Sequence, residues 1–454
     1  MRILLLLLSI IPFCSFSQSL IVNNIKIEGN KRTRAMIIER ELPFKTGDTL
    51  KIENLKEVLQ KSKDNILNTS LFNFTEVDTV NTTNNTTNVI IRVTERWYFW
   101  PIPIFEQAST NVNAFLYDKD FEKINYGLFF AKANFRGRNE LLRFVFRKGF
   151  REQYGVAYSN PGIGREQKFG YEIKYLFYRQ KQLSFKTENN KPVDLTTNEF
   201  NYHNFNGTLS FTYRPEIHNW HNLSIAFNDH YISDTLFISN PYFLGSSRNN
   251  LKYFNALYSF TRDMRNSNYY PLGGYYFSGT ISKTGFGIIK HEPDFITINL
   301  KSSKYFNIYK RFYGSCAGQF EYSNRKTPSY IFSRAFGYSN YTKGMELYVI
   351  DGNGFGLFNG AVRYQLLKPR TKQIKKIKAE KFSKFHYAFY TSLNFDMGYV
   401  INETKTVVNH ANEFLYGYGI GLDFVTYYDI VLRFEYSINK FGEPGLFLHF
   451  NAPF

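Results

Sequence analysis

The chain has 454 residues, with 56 Lys plus Arg against 38 Asp plus Glu and a net charge of +18. Aromatic residues make up 19%, a load suited to strands more than helices, and the mean hydropathy of -0.36 excludes a bundle of membrane helices. Two cysteines, Cys14 and Cys316, exclude a disulfide scaffold and a Cys-rich metal site.

In chain order, residues 1–17 read as an export signal. Arg2 precedes a short apolar stretch from Ile3, and Ser15 and Ser17 have the small-residue spacing of a cleavage site before Gln18. Bulky Phe13 disfavours lipid attachment at Cys14. No later run of about 18 apolar residues follows, so no membrane helix is expected.

Residues 18–96 read as a small α/β domain ordered β-α-α-β-β. Ile21, Ile25 and Ile27 share one face of a strand that stops at Gly29-Asn30. Arg34 to Leu42 predicts a helix with Thr33 as its N-cap, and Pro43 to Asp48 a turn. Leu55, Val58, Leu59 and Ile66 recur at helical spacing. Leu71 to Phe74 opens a second strand, the Asn/Thr run from Asn81 to Asn88 is a loop, and Val89 to Val93 is a third strand.

Residues 97–454 alternate with period two. Leu142, Phe144 and Phe146 oppose Arg143, Val145 and Arg147, and Leu432, Phe434 and Tyr436 oppose Arg433, Glu435 and Ser437. A soluble sandwich would solvate the polar face, whereas a transmembrane barrel turns it to the lumen and gives the apolar face to lipid. The export signal, the aromatic load and the number of long strands favour the barrel. Sixteen strands fit between Trp100 and the C-terminus, an even number as single-chain bacterial barrels require. The expected fold is therefore membrane all-β: a 16-stranded antiparallel transmembrane β-barrel after one small α/β domain.

With the N-terminus in the periplasm, the connection between the eleventh and twelfth strands, roughly 324–354, becomes the longest external loop. The segment 370–384 carries seven basic residues at a periplasmic turn. It reads either as a solvated turn or as a contact for anionic lipid head groups or an acidic partner. Leu446, Leu448, Phe450, Ala452 and Phe454 form an apolar edge strand that must pair with the first strand to close the barrel. Pro101 and Pro103 lie either within that first strand, where each deletes a ladder donor, or in the linker before it. In the first case the seam is weakly bonded, as a laterally opening gate requires.

The chain has no Gly-x-Ser-x-Gly, His-Glu-x-x-His or P-loop motif, and Gly352 to Gly356 lies in the long loop rather than between a strand and a helix. His218 and His221 read as turn residues rather than metal ligands. No enzyme activity, cofactor or metal is expected. The positive charge is matched to lipid phosphates, with no nucleic acid as partner.

Several segments resemble the BamA/TamA superfamily of outer-membrane proteins. Ile25 to Asn30, Arg40-Glu41-Leu42, Gly47-Asp48, Asn68 to Phe72 and Glu95-Arg96-Trp97 resemble a POTRA module. Asn134 to Asn139 is similar to the family's turn into the third strand, and Arg262 to Asn266 with Tyr270 to Tyr275 to its turn between strands 8 and 9. The resemblance implies an Arg-Gly-aromatic tip on the long loop that folds into the lumen and pairs with an acidic residue on strand 13. Phe395-Asp396-Met397-Gly398 is similar to that acidic pattern. Two tips are open: Lys343-Gly344, with Lys for Arg, and Arg334-Ala335-Phe336, which lacks the glycine. The first is preferred because Asp351-Gly352 leads directly into strand 12. The aromatic end at Phe454 resembles the signal read by the barrel assembly machinery.

The resemblance implies an outer-membrane location, with the POTRA domain in the periplasm. It implies insertion of client proteins into that membrane or passage across it, by strand pairing at the Leu71 to Thr79 edge and at the seam. The implied partners are unfolded outer-membrane clients, periplasmic or lipoprotein partners of the POTRA domain, outer-membrane lipid and lipopolysaccharide. The alternative is a passive channel or ligand-binding surface protein that keeps the scaffold.

Overall fold

The computed structural model describes residues 19–83, 85–107, 124–245, 248–326, 328–337, 340–376, 380–403, 409–426 and 430–451. The expected export signal and Phe454 lie outside them.

The N-terminal domain comprises β1 (Ser19–Glu28), α1 (Ala35–Glu39), β2 (Thr49–Lys51), α2 (Ile52–Asn68), β3 (Phe72–Thr83) and β4 (Thr86–Glu95). Its sheet is ordered β2-β1-β4-β3, with β1 parallel to β4 and the other pairs antiparallel. Ile37, Ile38 and Ile66 from the helices meet Val22, Phe72 and Ile91 from the sheet in one apolar core. Three local expectations change. A register shift between Val22 and Asn24 flips the strand face, so Leu20 and Val22 are buried while Ile21 is 44% exposed. Thr33 does not cap α1; its hydroxyl donates to Glu95 instead, at 2.7 Å. The Asn/Thr loop is shorter than expected, because β3 and β4 remain paired to Thr83↔Thr86 around Asn85, whose φ of 63° suits asparagine. The three-residue β2 is an addition to the expected order.

The second domain is one 16-stranded sheet. Its first eight strands are β5 (Phe99–Gln107), β6 (Ile124–Phe135), β7 (Glu140–Gly149), β8 (Arg151–Ile163), β9 (Phe169–Gln180), β12 (Tyr202–Glu216), β13 (Asn219–Ile232) and β14 (Asn250–Asp263). The rest are β15 (Gly274–Thr284), β16 (Phe295–Tyr309), β17 (Phe312–Ser323), β20 (Gly354–Gln373), β21 (Lys384–Ile401), β22 (Phe414–Thr426), β23 (Val431–Asn439) and β24 (Pro444–Asn451). Neighbours follow chain order and every pair is antiparallel. The alternation works as a transmembrane barrel requires. On β21, Ser392, Asn394 and Asp396 are buried towards the lumen, while Leu393, Phe395 and Met397 are exposed outside.

Both mouths are covered. At the far mouth, the hairpin β10 (Gln182–Glu188) and β11 (Lys191–Thr196), the helix α3 (Asp234–Ser239) and the turn at Tyr330 share an apolar cluster that includes Leu183, Leu236 and Phe243. At the near mouth, the N-terminal domain rests on the turns of the barrel. Asn134 Nδ2 donates to Thr33 Oγ1 at 2.8 Å, and the Arg34 amide donates to the Gly137 carbonyl at 2.9 Å. Gly137, at φ +73°, lets that carbonyl approach, since a Cβ there would collide with the Arg32 oxygen. The Asn268 amide donates to Asn68 at 3.1 Å, and the Ser70 and Tyr269 hydroxyls are 2.8 Å apart.

Candidate functional site: the lumenal loop and the barrel seam

The segment between β17 and β20 turns inward. Its base is the short pair β18 (Arg334–Phe336) and β19 (Ile350–Asp351), in which Arg334 sits opposite Asp351. The Arg334 guanidinium lies over the Tyr330 ring at 5.4 Å, so this residue stays at the loop base. Phe336 goes deeper and packs against Phe355, with ring centroids 5.4 Å apart. It fills the space left by Gly398, where a Cβ would strike its ring.

The loop tip, Thr342 to Met345, lies flat against the inner wall. The Met345 amide donates to the Thr342 carbonyl at 3.0 Å, which closes the turn. Gly344 has φ +76°, and a Cβ on it would sit 2.6 Å from the Asn439 amide nitrogen. Asn439 Nδ2 donates to the Gly344 carbonyl at 3.0 Å, and a Cβ on Gly417 would collide with the Lys343 carbonyl. Glycine is thus required on both sides of the contact.

Lys343 is 12% exposed, and its ammonium is 2.9 Å from Glu435 Oε1 on β23, a carboxylate with no exposed surface. This differs from the expected side-chain pair with Asp396. Asp396, 2% exposed on β21, takes the backbone amide of Lys343 and the side chain of Asn359. The reason is reach. Asp396 lies level with the tip's backbone, while the four-carbon lysine stem carries its charge on to β23. Alternation alone puts Glu435 on the lumen face. What the sequence did not signal was its pairing, nor the partly buried Glu346 and His449 beside it. Asp423 and Arg433 form a second lumenal pair at 2.6 and 2.8 Å, with the Tyr270 hydroxyl donating to Asp423 at 2.7 Å across the barrel.

Pro101 and Pro103 lie within β5, opposite Phe130 and Leu128 of β6. Residues two apart on a strand point their amide positions the same way, and proline is tolerated where that position faces away from a partner. Both missing donors therefore face β24. Among the described residues no ladder joins β5 to β24. Phe450, opposite Leu432, is 63% exposed on the outer surface of that last strand.

The other long-range contact is at the near mouth. Arg214, at the end of β12, holds Glu41 of the N-terminal domain through two hydrogen bonds of 2.8 and 2.7 Å. Arg40 Nε donates to the same carboxylate at 2.9 Å. Burial alone would raise the Glu41 carboxyl; the guanidiniums of Arg214 and Arg40 outweigh it and hold the group below the usual range. A cavity of about 500 Å³ adjoins this pair, lined by polar residues such as Asn160, Glu172 and Asn222.

Residues 20–96 match the POTRA family, described as the surface antigen variable number repeat. BamA from Haemophilus ducreyi lacking POTRA domains 1-3 superposes at a TM-score of 0.50 with 13% identity, covering 95% of this chain and 84% of that one. CdiB from Escherichia coli superposes at 0.54 with 11% identity, covering 95% of this chain and 75% of that one. No curated protein matches the chain significantly in sequence. A matched POTRA domain joined to a 16-stranded barrel gives this chain a POTRA-plus-barrel fold like that seen in BamA and CdiB.

Proposed function

We propose that the protein resides in the outer membrane, with its POTRA domain in the periplasm, and inserts client proteins into that membrane or passes them across it. The observation that carries this reading is the pair of unsatisfied strand edges. One is the β5–β24 seam, which lacks a ladder among the described residues and has prolines at two donor positions. The other is β3, which among the described residues pairs with β4 alone and whose other side can accept an extended client segment by strand addition. No covalent chemistry is needed, because each step exchanges one set of backbone hydrogen bonds for another. A passive channel is less well supported: the loop occupies the lumen, and the POTRA domain and the far-mouth cluster cover both ends.

The test is depletion followed by outer-membrane proteomics. The expected result is loss of a subset of barrels or exported proteins. An unchanged proteome with altered solute uptake would support the channel instead. A cysteine pair stapling β5 to β24, in a Cys316→Ser background, is expected to block client insertion and to recover on reduction.

A further inference from the structure

Beside the loop tip the lumen holds more negative than positive charge. Glu346, Glu435 and Asp396 converge there, and the lysine of the tip is the cation among them. Arg433 is already engaged by both oxygens of Asp423. The Glu346 side chain is only 9% exposed, yet neither of its oxygens accepts a hydrogen bond. Glu435 accepts from Asn394 through Oε2 at 3.1 Å; its Oε1 lies within ion-pair distance of Lys343 but out of line for a hydrogen bond. His449 Nε2, on β24, is 3.9 Å from Glu346 Oε1 and 4.0 Å from Glu435 Oε1 and has no hydrogen-bond partner. Buried carboxylates without partners are costly, and the cost is relieved by a proton or by a coordinated cation.

We infer that Glu346, Glu435 and His449 bind a divalent transition-metal cation, with Zn²⁺ the best match, and that the ion fastens the lumenal loop to the last two strands. The three ligand atoms lie within 4.8 Å of one another. Tetrahedral zinc, with bonds of about 2.0–2.2 Å, holds its ligand atoms about 3.3–3.6 Å apart, so the widest pair closes by up to about 1.5 Å, which side-chain rotation supplies. An imidazole among the ligands favours zinc over Mg²⁺ or Ca²⁺, which take oxygen. The hydroxyl of Tyr341 is 3.3 Å from His449 Nδ1; with Nδ1–H donating to it, Nε2 presents its lone pair to the metal. Two carboxylate ligands, ionised when the metal binds, match a dication, and water completes the coordination. Lys343 then swings from Glu435 to Asp396, whose carboxylate already holds the lysine's own amide. The site joins three separate elements: the loop, β23 and β24. It stands independently of the client-insertion reading, because its readout is metal binding.

The experiment uses the full chain, untagged, purified in detergent and stripped with a chelator. Calorimetric titration with Zn²⁺ is expected to give one equivalent bound at micromolar affinity or tighter. Glu346→Gln and His449→Gln are each expected to weaken binding at least tenfold, with heat-modifiable gel migration confirming that the barrels are folded. On the wild type, Zn²⁺ is expected to protect the 324–353 segment from protease, and Co²⁺ to give a visible absorption spectrum of mixed nitrogen and oxygen ligation. Absence of saturable binding by the wild type would overturn the proposal. So would unchanged affinity in both variants, or a loop whose digestion ignores the metal.

Discussion

At the scale of single residues, the loop tip rests on one ion pair and one glycine. Lys343→Ala removes the cation beside the fully buried Glu435, and loss of one partner from such a pair costs about 3–5 kcal/mol. Gly344→Ala adds a side chain at φ +76° against Asn439, for roughly 1–3 kcal/mol. Both variants are expected to release the loop, seen as faster cleavage within 324–353 by an added protease while the barrel stays folded. A loop as protected as in the wild type would show that the tip is held by its apolar packing alone. The tip was readable in the sequence as far as backbone demands went, because Gly344 and Gly398 mark positions where a Cβ has no room. The lysine's partner was not readable. Asp396 and Glu435 both sit on lumen-facing positions, and period two says nothing about which carboxylate a flexible stem will reach.

At the scale of elements, alternation was a strong guide because lipid and lumen impose opposite demands on successive residues. It located the long loop between β17 and β20 and the turn between β14 and β15. It misjudged β1, where a bulge shifts the face after Val22. It left the place of Pro101 and Pro103 open, since proline suits an edge strand as well as a linker. Their position inside β5 leads to an element-scale expectation. Replacing both with Val restores two amide donors on the side facing β24 and should tighten the seam. Cysteine pairs placed across it should then cross-link faster and more completely, and under the proposed function client insertion should slow. Cross-linking at the wild-type rate would mean that the prolines do not limit seam pairing.

At the scale of the whole molecule, the orientation of the POTRA domain rests on contacts the sequence did not reveal. Glu41 and Arg214 are 173 positions apart, and each looks like an ordinary charged end of its own element. Arg214→Ala leaves the buried Glu41 carboxylate with Arg40 and removes two charge-assisted hydrogen bonds, so about 2–3 kcal/mol of docking energy is expected to be lost. The pH dependence has a definite sign. The folded pKa of Glu41 is depressed, so its contribution is fully present above the ordinary glutamate range and disappears as pH falls through the lower folded value. Docking should thus be insensitive to pH between about 6 and 8 and weaken below about 4. A cross-link between the 32–34 segment and the 134–139 turn, formed in the wild type across that range, reports both effects; its persistence in Arg214→Ala would assign docking to the remaining contacts.

The join between the two domains is short. Only Arg96, Trp97 and Tyr98 separate β4 from β5. Arg96 Nε donates to the Phe72 carbonyl at 2.8 Å, and the Tyr98 hydroxyl donates to the Leu71 carbonyl at 2.9 Å. There is no slack in such a tether. Tension applied to a segment held on β3 would pass through Phe72 and Arg96 into β5, the strand that borders the seam. The molecule is wired so that a mechanical load on the N-terminal domain is delivered to the edge of the sheet that, among the described residues, has no ladder across the seam to resist it.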